Sequence, residues 1–295
     1  MPVLVFVLMQ FMISAKAGLI NYVDGQANVR LHEQVPVGRL IQTGPNSHIE
    51  LLLNPGSFLR IDENSTVVLD SVELTNIAIR LISGTALLEA ADIDKSAPIR
   101  ITTGNLRVLI VSSGLYRFYG DTAEVLDGKL QMADSSLTIK RGRQITAGDG
   151  GLYEQIKIPV NARADAFDLW SQQRSSELAR ANAFARNGYS SAGAYTSGFS
   201  TGGVWTYSQV LSGFTFIPGR NYRSYYGYTF VPLIVSTPHR VTRAEGRVQS
   251  SRTGISRPPS GTKSGPTSRP HPTDRGGVRH GHSGRGHARG GRRPI

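Results

Sequence analysis

Residues 56–70 read GSFLRIDENSTVVLD, two short apolar runs separated by a polar segment. Leu59 and Ile61 alternate with other residues before the polar segment, and Val67 and Leu69 do so after it. Since side chains alternate between the two faces of a β-strand, each pair lies on one face of a strand. The acidic and amide residues between them are typical of a turn. The stretch therefore predicts a strand pair in the wall of a β structure, with no catalytic role.

Similar short runs continue from Leu19 to about Val160, interrupted by Gly, Asn, Asp and Pro every 8 to 14 residues. This spacing predicts an all-β domain over residues 18–160, either solenoid-like or sandwich-like, with a barrel as a further arrangement. Asp127-Gly128 is the clearest two-residue hairpin signal. The predicted strands are 20–23, 26–31, 48–53, 57–61, 66–69, 77–82, 86–90, 99–102, 107–112, 116–119, 123–126, 129–133, 137–140 and 144–145.

The pattern changes to a helical period over residues 161–187. No proline or glycine occurs between Ala162 and Arg186, and apolar residues recur at steps of three or four, with Arg174 interrupting the stripe. Gly188 is the expected end of this amphipathic helix. We expect its apolar side to dock on the β domain, with a coiled-coil or partner-binding helix as the alternative.

Residues 188–237 form a Gly- and aromatic-rich segment, which holds 12 of the 23 aromatic residues of the chain. It contains a repeat, GFTFIP at 213–218 and GYTFVP at 227–232, and each copy predicts a strand with one aromatic face. We expect the two copies to pair as a flap that covers the β domain. The alternative is a binding surface for a glycan, a lipid or a partner protein. Its candidate residues are Trp205, Tyr207, Phe214, Phe216, Tyr228 and Phe230.

The net charge of +12 is concentrated at the C-terminal end. Residues 240–295 contain 12 Arg and one Lys against two acidic residues, 13 − 2 = +11, which leaves +1 for the rest. Residues 238–295 lack Phe, Tyr and Trp, and this composition predicts a disordered tail that solvates the protein or contacts acidic lipid, lipopolysaccharide or another polyanion. Without aromatic side chains to stack on bases, nucleic acid is not the expected partner, and a nucleic-acid binder that acts through this tail is kept as an alternative. The candidate polyanion-binding residues are Arg285, Arg289, Arg292 and Arg293.

The N-terminus predicts export. An apolar run at 3–13 precedes Ala15-Lys16-Ala17, which has the small-x-small form of a signal-peptidase site. We therefore expect a signal peptide at 1–17 and a periplasmic or secreted protein. The alternatives are a short anchor in the inner membrane and, because no Lys or Arg precedes the run, a buried N-terminal strand.

No pattern in the sequence indicates catalysis. The chain has no cysteine, and the body histidines, His32, His48 and His239, are isolated in sequence and expected at the surface. Carboxylates cluster at Asp62-Glu63 and Asp92-Asp94, in predicted turns and without the spacing of a calcium loop. Nucleophile, zinc and phosphate-loop motifs are absent from the predicted folded part. We expect a protein that is not an enzyme and has no cofactor or metal site.

Four segments together resemble the bacterial FecR-like domain over residues 18–148. They are GLINYVDGQANV, GRLIQTGPNSHIELLLNPGSFLRIDENSTVVL, IRLISGTALLEA and IRITTGNLRVLIVSSGLYRFY, in the order the family has them. The Leu-Trp helix and the aromatic-proline repeat also resemble acidobacterial-type members with a short Trp- and Tyr-rich extension.

The resemblance implies an all-β domain exposed in the bacterial envelope and used for binding, scaffolding or signalling. FecR itself is an inner-membrane regulator that relays the signal of an outer-membrane receptor to a sigma factor. The sequence shows neither the cytoplasmic anti-sigma segment nor the internal transmembrane helix of that protein, so the expectation is a binding module without the relay. The expected partner is an envelope protein or a cell-wall or glycan polymer. The resemblance implies no catalytic residue.

Overall fold

The computed structural model describes residues 16–158, 165–191 and 203–232. Two β-sheets and one helix, α1 (Ala166–Ser191), make up most of these residues. The strands are β1 (Leu19–Asp24), β2 (Leu40–Gln42), β3 (His48–Leu52), β4 (Phe58–Ile61), β5 (Thr66–Ser71), β6 (Ala78–Ser83), β7 (Thr85–Ala90), β8 (Ile99–Thr103), β9 (Leu106–Ile110), β10 (Gly114–Tyr119), β11 (Thr122–Val125), β12 (Lys129–Met132), β13 (Thr138–Lys140), β14 (Arg143–Ala147), β15 (Tyr153–Lys157), β16 (Val204–Ser208), β17 (Gly213–Ile217), β18 (Tyr222–Arg223) and β19 (Thr229–Phe230).

The two large sheets face each other across one aliphatic core. The eight-stranded sheet has the order β1-β3-β4-β7-β10-β11-β14-β15, and the seven-stranded sheet has the order β13-β12-β9-β8-β6-β5-β2. Neighbouring strands are antiparallel except for the parallel pair β6 and β8. Inward-facing side chains of both sheets, such as Leu59 and Val67, belong to a single buried cluster. The sandwich-like form of the predicted all-β fold is therefore the one observed.

The stretch 56–70 forms two strands as predicted. Contrary to expectation, these two strands do not pair with each other. β4 lies in the eight-stranded sheet and β5 in the seven-stranded sheet, so the polar segment carries the chain from one sheet to the other. Thr43 holds this crossover, since its hydroxyl donates to the Asp62 carbonyl at 2.6 Å and accepts the Ser65 amide at 2.9 Å. Asn64 takes a φ of 51°, which asparagine tolerates better than most residues. The expectation that the segment makes a turn is met, and the apolar side chains of both strands meet across the core.

An outer layer covers the eight-stranded sheet on the side away from the core. It consists of α1 and the flap, which comprises the described residues 203–232 with the hairpins β16–β17 and β18–β19. The flap lies close to the sheet: at Gly56, with a φ of +88°, a β-carbon would approach Phe216 to 2.8 Å. Both faces of the strands β3, β4 and β7 are therefore buried, one by the opposite sheet and one by the outer layer.

The repeat copies do not pair with each other, contrary to expectation. GFTFIP forms β17 and pairs with β16, whereas GYTFVP supplies β19, which pairs with β18. Asn182 of α1 joins the two copies instead. Its Nδ2 donates to the Phe216 carbonyl at 2.9 Å and to the Val231 carbonyl at 3.1 Å, and its Oδ1 accepts the Val231 amide at 2.8 Å. The two copies of the repeat are thus held by one helical side chain, at the fourth residue of the first copy and the fifth residue of the second.

Other boundaries differ from expectation at the edges of the fold. Residues 26–31 form no strand, and only an isolated bridge joins Ala27 to Thr43. The strands β2 and β15, both at sheet edges, were not predicted. The helix runs through Gly188 to Ser191, because one glycine in a helix costs only about 1 kcal/mol relative to alanine. The apolar run at 3–13 and the basic segment at 238–295 lie outside the described residues.

Within the described residues, no helix has the length and apolar character needed to cross a membrane.

Candidate functional site

Four charged side chains are buried between the eight-stranded sheet and α1, and we call them the ion network. They are Glu50 on β3, Arg60 on β4, Glu89 on β7 and Arg174 on α1. Their exposed fractions are 0%, 0%, 2% and 4%. Because charged residues are almost never fully buried without partners, this is the most unusual chemistry in the described part of the chain.

Strand alternation places the three sheet charges on the outer face. Their neighbours in sequence, such as Leu51, Leu59 and Leu88, point into the core between the sheets. Glu50 lies directly opposite Arg60 in the antiparallel register of β3 and β4. Glu89 is opposite Phe58 in the next pair, one diagonal step from Arg60. Opposite charges on neighbouring strands are therefore brought together before the helix docks.

The helix completes the network with polar residues spaced at three or four. The Arg174 Nη2 donates to Glu50 Oε1 at 2.9 Å, and its Nη1 donates to Glu177 at 2.6 Å. Arg60 donates to Glu50 Oε2 at 3.0 Å through Nε and to Glu89 Oε2 at 2.8 Å through Nη1. The same Nη1 reaches the Ser171 hydroxyl at 2.8 Å.

Two further groups close the network on its flanks. Ser175 donates its hydroxyl to Glu89. Asn21 donates to Glu50 at 3.0 Å, and it also donates to the Phe214 carbonyl at 2.9 Å and accepts the Phe214 amide at 2.6 Å. The network is thus continuous from the sheet to both the helix and the flap.

The electrostatics of the site favour the charged forms of Glu50, Arg60 and Arg174. Burial raises the pKa of Glu50, but the guanidinium groups of Arg174 and Arg60 outweigh it and hold the pKa of this carboxyl below its usual value. Burial lowers the pKa of Arg174, and the carboxylates of Glu50 and Glu177 more than reverse that shift. Two carboxylates and two guanidiniums therefore neutralise one another within the interface.

This arrangement is better suited to positioning α1 on the sheet than to catalysing a reaction. The side chains are occupied with one another and lie at 0–4% exposure, where a substrate has no access. A helix shifted along the sheet would break the pair between Glu50 and Arg174 and leave each of these buried groups with one counter-charge fewer, which is destabilising. The ion network therefore selects one position and register for α1 on the sheet.

A stack of rings holds the N-terminal part of α1 beside the network. The imidazole of His48 lies 4.6 Å from the Trp170 ring, with an angle of 16° between their planes. Its Nε2 is 3.4 Å from Asp62, and the ring centroid of Phe167 is 5.9 Å away. His48 is therefore half-buried in an aromatic stack, which corrects the expectation of a surface histidine. His32 is also half-buried and contacts the rings of Tyr207 and Phe214.

A comparison with protein-family models finds a match within the β-sandwich. Residues 39–131 match the family model described as FecR protein. The chain carries a FecR-like domain. That matched range runs from the start of β2 to β12 and contains three members of the ion network, Glu50, Arg60 and Glu89. Arg174 lies on α1, outside the matched residues.

Two crystal structures of a candidate anti-sigma factor from Parabacteroides distasonis ATCC 8503 are similar to the chain over a limited part. The identities are 15% and 14%, each with a TM-score of 0.35. Each match covers 41% of this chain and 60% of the other, so the chain spans less than two thirds of their length. No curated protein matches the chain.

The aromatic residues predicted to bind a ligand or partner all lie on the flap, within the outer layer that covers the eight-stranded sheet. Four are buried at 1–3% exposure among α1, the flap and the sheet, and two are half-buried. The buried rings are Trp205, Phe214, Phe216 and Phe230, and the half-buried rings are Tyr207 and Tyr228. In this conformation a ligand could reach only the half-buried pair. Binding by this surface stays a prediction.

The other predicted binding residues, Arg285, Arg289, Arg292 and Arg293, lie outside the described residues. In the part that is described, no three His, Asp or Glu side chains are grouped as a metal site would require. A small, open cleft lies where the end of β7 meets the flap. Phe216 and Tyr222 line it, and Arg220 pairs with Asp92 across it at 3.5 Å.

Sequence reasoning missed the ion network, although a signal was present. In HIELL, FLRI and ALLEA a single charge interrupts each apolar strand at an outward position. The three charges share one face, and Arg174 interrupts the apolar stripe of the helix in the same way. Two acidic and two basic interruptions on surfaces that must pack together indicate a buried ion network.

Proposed function

We propose that the protein is a non-enzymatic, exported protein of the bacterial envelope, whose FecR-like domain serves as a regulatory binding module. The family match supports a role in signalling or regulation. The observation that carries the proposal is the closed state of the charged groups at the site. The ion network is neutral and inaccessible, so its use is to lock the outer layer onto the sheet and present a defined surface.

The expected partner is an envelope protein or a glycan polymer of the cell wall. We infer that the half-buried rings of Tyr207 and Tyr228 contribute to its recognition, since the other four predicted binding rings are buried. A photo-crosslinking residue placed at Tyr228 tests this in intact cells. The matched control is the same residue at Phe184, which is 62% exposed on α1.

A crosslink to one envelope component from Tyr228, and none to that component from Phe184, is the expected result. Cell fractionation in the same experiment should place the protein in the envelope. Equal crosslinking from both positions argues against the flap as the binding surface. Turnover of an envelope polymer by the purified protein contradicts the non-enzymatic assignment.

A second candidate is a regulator that stays anchored to the inner membrane, and one observation favours it. Ala17 is 1% exposed in the core, and its amide donates to the Val72 carbonyl at 2.8 Å. The amide of Gly18, also buried, donates to the Leu52 carbonyl at 2.7 Å. Cleavage after Ala17 would place a charged amino terminus at this buried position, at a cost in free energy.

The mass of the mature N-terminus separates the two candidates. A mature chain that begins at Gly18 contradicts the anchored form. A chain that retains residues 1–17 and fractionates with the inner membrane supports it. A fragment cut upstream of Lys16 would leave the core contact of Ala17 intact and would favour the exported form.

A further inference from the structure

The solvent face of the seven-stranded sheet carries basic side chains that the ion network does not use. Strand alternation points Arg100 of β8, Arg107 of β9, Lys129 of β12 and Lys140 of β13 away from the core, and all four are exposed. We call these four residues the basic face. None of them forms an ion pair with another described residue.

The arrangement of these charges is unfavourable for the protein alone. Lys129 and Lys140 are directly opposite each other in the register of β12 and β13, and like charges at such positions repel. The nearby carboxylates are already engaged: Asp70 pairs with Arg80 of β6 at 2.5 Å, and Asp134 accepts the hydroxyl of Tyr153. The basic face therefore has unbalanced positive charge, which an anionic partner would neutralise.

The same sheet exposes aliphatic side chains next to the basic face. Leu40 on β2 and Ile82 on β6 are 44% and 52% exposed, and Val37, just before β2, is 55% exposed. Ile82 lies on β6, which pairs with β8, the strand that carries Arg100, and Leu40 lies two strands further along the sheet on β2. Aliphatic side chains beside cations are typical of surfaces that enter the boundary between lipid headgroups and acyl chains.

The distribution over the face favours a broad, planar partner. From β13 to β2 the seven strands span roughly 29 Å, at a spacing of about 4.8 Å between neighbours. The cations lie on four adjacent strands, β13, β12, β9 and β8, which span roughly 14 Å of this width. Each strand contributes one cation, whereas a small ligand would be held by several cations around one point. The basic tail cannot be the partner, because residues 240–295 carry charge of the same sign.

The described chain also enters at this sheet. Lys16, the first described residue, bridges Glu73 in the connection between β5 and β6, with a distance of 3.5 Å between Nζ and Oε1. The apolar run at 3–13 therefore lies only two residues upstream of a segment joined to the seven-stranded sheet.

We propose that the solvent face of the seven-stranded sheet binds an anionic lipid bilayer, with the basic face contacting headgroups and Leu40 and Ile82 entering the interface. This inference does not depend on the identity of the partner of the flap. It gives the FecR-like domain a fixed orientation, in which the outer layer of α1 and the flap faces away from the membrane.

The test is co-sedimentation of the full chain with vesicles of phosphatidylglycerol mixed with phosphatidylcholine, against vesicles of phosphatidylcholine alone. To remove a contribution from the tail, the background carries Arg→Gln at 285, 289, 292 and 293. The face variant is R100Q/R107Q/K129Q. The matched control, R143Q/K157Q/R180Q, removes three exposed charges from the eight-stranded sheet and α1.

Each basic residue near an anionic surface contributes about fivefold in affinity, so the face variant should bind the anionic vesicles roughly 100-fold more weakly. The control should change little. A second pair of variants tests the aliphatic side chains. L40S/I82S should weaken the binding that remains at high salt, whereas the control L152S/L169S, which replaces two other exposed leucines, should not.

Three outcomes overturn the proposal. One is an equal loss in the face variant and its control. Another is binding that depends only on the tail, in which case the chain with the four tail substitutions binds the anionic and the neutral vesicles equally. The third is retention on soluble heparin that the face variant abolishes, without any binding to vesicles, which would assign the face to a polymer. A folded state for every variant is checked by its circular dichroism spectrum and its unfolding midpoint in urea.

Discussion

At the scale of single residues, Arg60 has the most demanding position in the molecule. It is fully buried, and its guanidinium lies between Glu50 and Glu89. Its apolar neighbours on the same strand can be replaced by other hydrophobic residues of similar size at little cost in stability. Arg60 needs a specific counter-charge on each side. It is therefore a residue whose replacement tests the structure directly.

We predict that R60M destabilises the protein by about 3–5 kcal/mol, because it leaves two buried carboxylates with one cation fewer. Urea unfolding followed by circular dichroism measures the change. R80M is the matched control, since Arg80 pairs with Asp70 at the surface, where such a pair contributes about 0–1 kcal/mol. Similar losses in the two variants would mean that the ion network does not stabilise the outer layer.

The pKa of Glu50 predicts how stability depends on pH. It is lowered in the folded protein, so the unfolded chain binds a proton more readily there. The stabilising effect of Glu50 is therefore present above the pKa of the unfolded carboxyl and is lost as the pH falls through the lower folded value. Asp165, whose pKa is held down by Arg117 against the effect of burial, contributes in the same direction.

We expect E50Q to be less stable than the wild type at pH 7, and the difference between their free energies of unfolding to shrink as the solution is acidified below about pH 4. Urea titrations at a series of pH values measure this difference. A difference that stays constant with pH would show that Glu50 is not the group whose charge matters.

At the scale of elements, α1 and the flap depend on each other and on the sheet. Leu178 is fully buried beside Trp205 and Phe214, and the hydroxyl of Thr215 donates to its carbonyl at 2.6 Å. Asn182, one turn later, binds both copies of the repeat. The helix thus provides the surface on which the two hairpins assemble.

We predict that L178A costs about 2–5 kcal/mol, the range for a buried leucine that leaves a cavity. L169A on the exposed side of the same helix should change stability by less than about 0.5 kcal/mol. Hydrogen exchange should show faster exchange in α1 and β16–β17 of L178A, with protection retained in β4 and β7. Uniform loss of protection in all of them would mean that the outer layer and the sandwich unfold as one unit.

The presence of most strands and of the helix was predictable from the sequence, whereas the ends of these elements and the pairing between strands were not. The strands 48–53, 57–61 and 86–90 follow from alternation and turn residues, because one face of each must be buried. β2 has three residues and is too short to show a period. Residues 26–31 alternate like a strand but form only a bridge, because the Asn28 side chain takes the hydrogen bonds of Leu40 and Gln42 that a backbone partner would otherwise make.

At the scale of the whole molecule, charge is divided among three places with different roles. The ion network is neutral and buried, the basic face is exposed on one sheet, and the segment 240–295 holds a charge of +11. The buried charges select the position of α1. The exposed charges determine which surfaces attract the protein, and salt should affect only these.

We predict that Arg→Gln at 285, 289, 292 and 293 flattens the salt dependence of binding to a single-stranded polyanion. Four fewer phosphate contacts reduce the slope of log K against log salt concentration by about 3. Binding of labelled oligonucleotide at several salt concentrations measures the slope. The urea midpoint should stay unchanged. An unaltered slope would assign any polyanion binding to the folded body.

The sequence by itself determined the all-β class, the helix after it, the aromatic flap and the concentration of charge at the C-terminal end, because periodicity and composition are local properties that each segment carries alone. Only the tertiary structure decided that β4 and β5 belong to different sheets, that the repeat copies meet through Asn182, and that Glu50, Arg60, Glu89 and Arg174 neutralise one another. Those outcomes depend on pairings between residues 10 to 124 positions apart. A charge that interrupts an apolar pattern signals that a partner is needed, but neither segment alone identifies that partner.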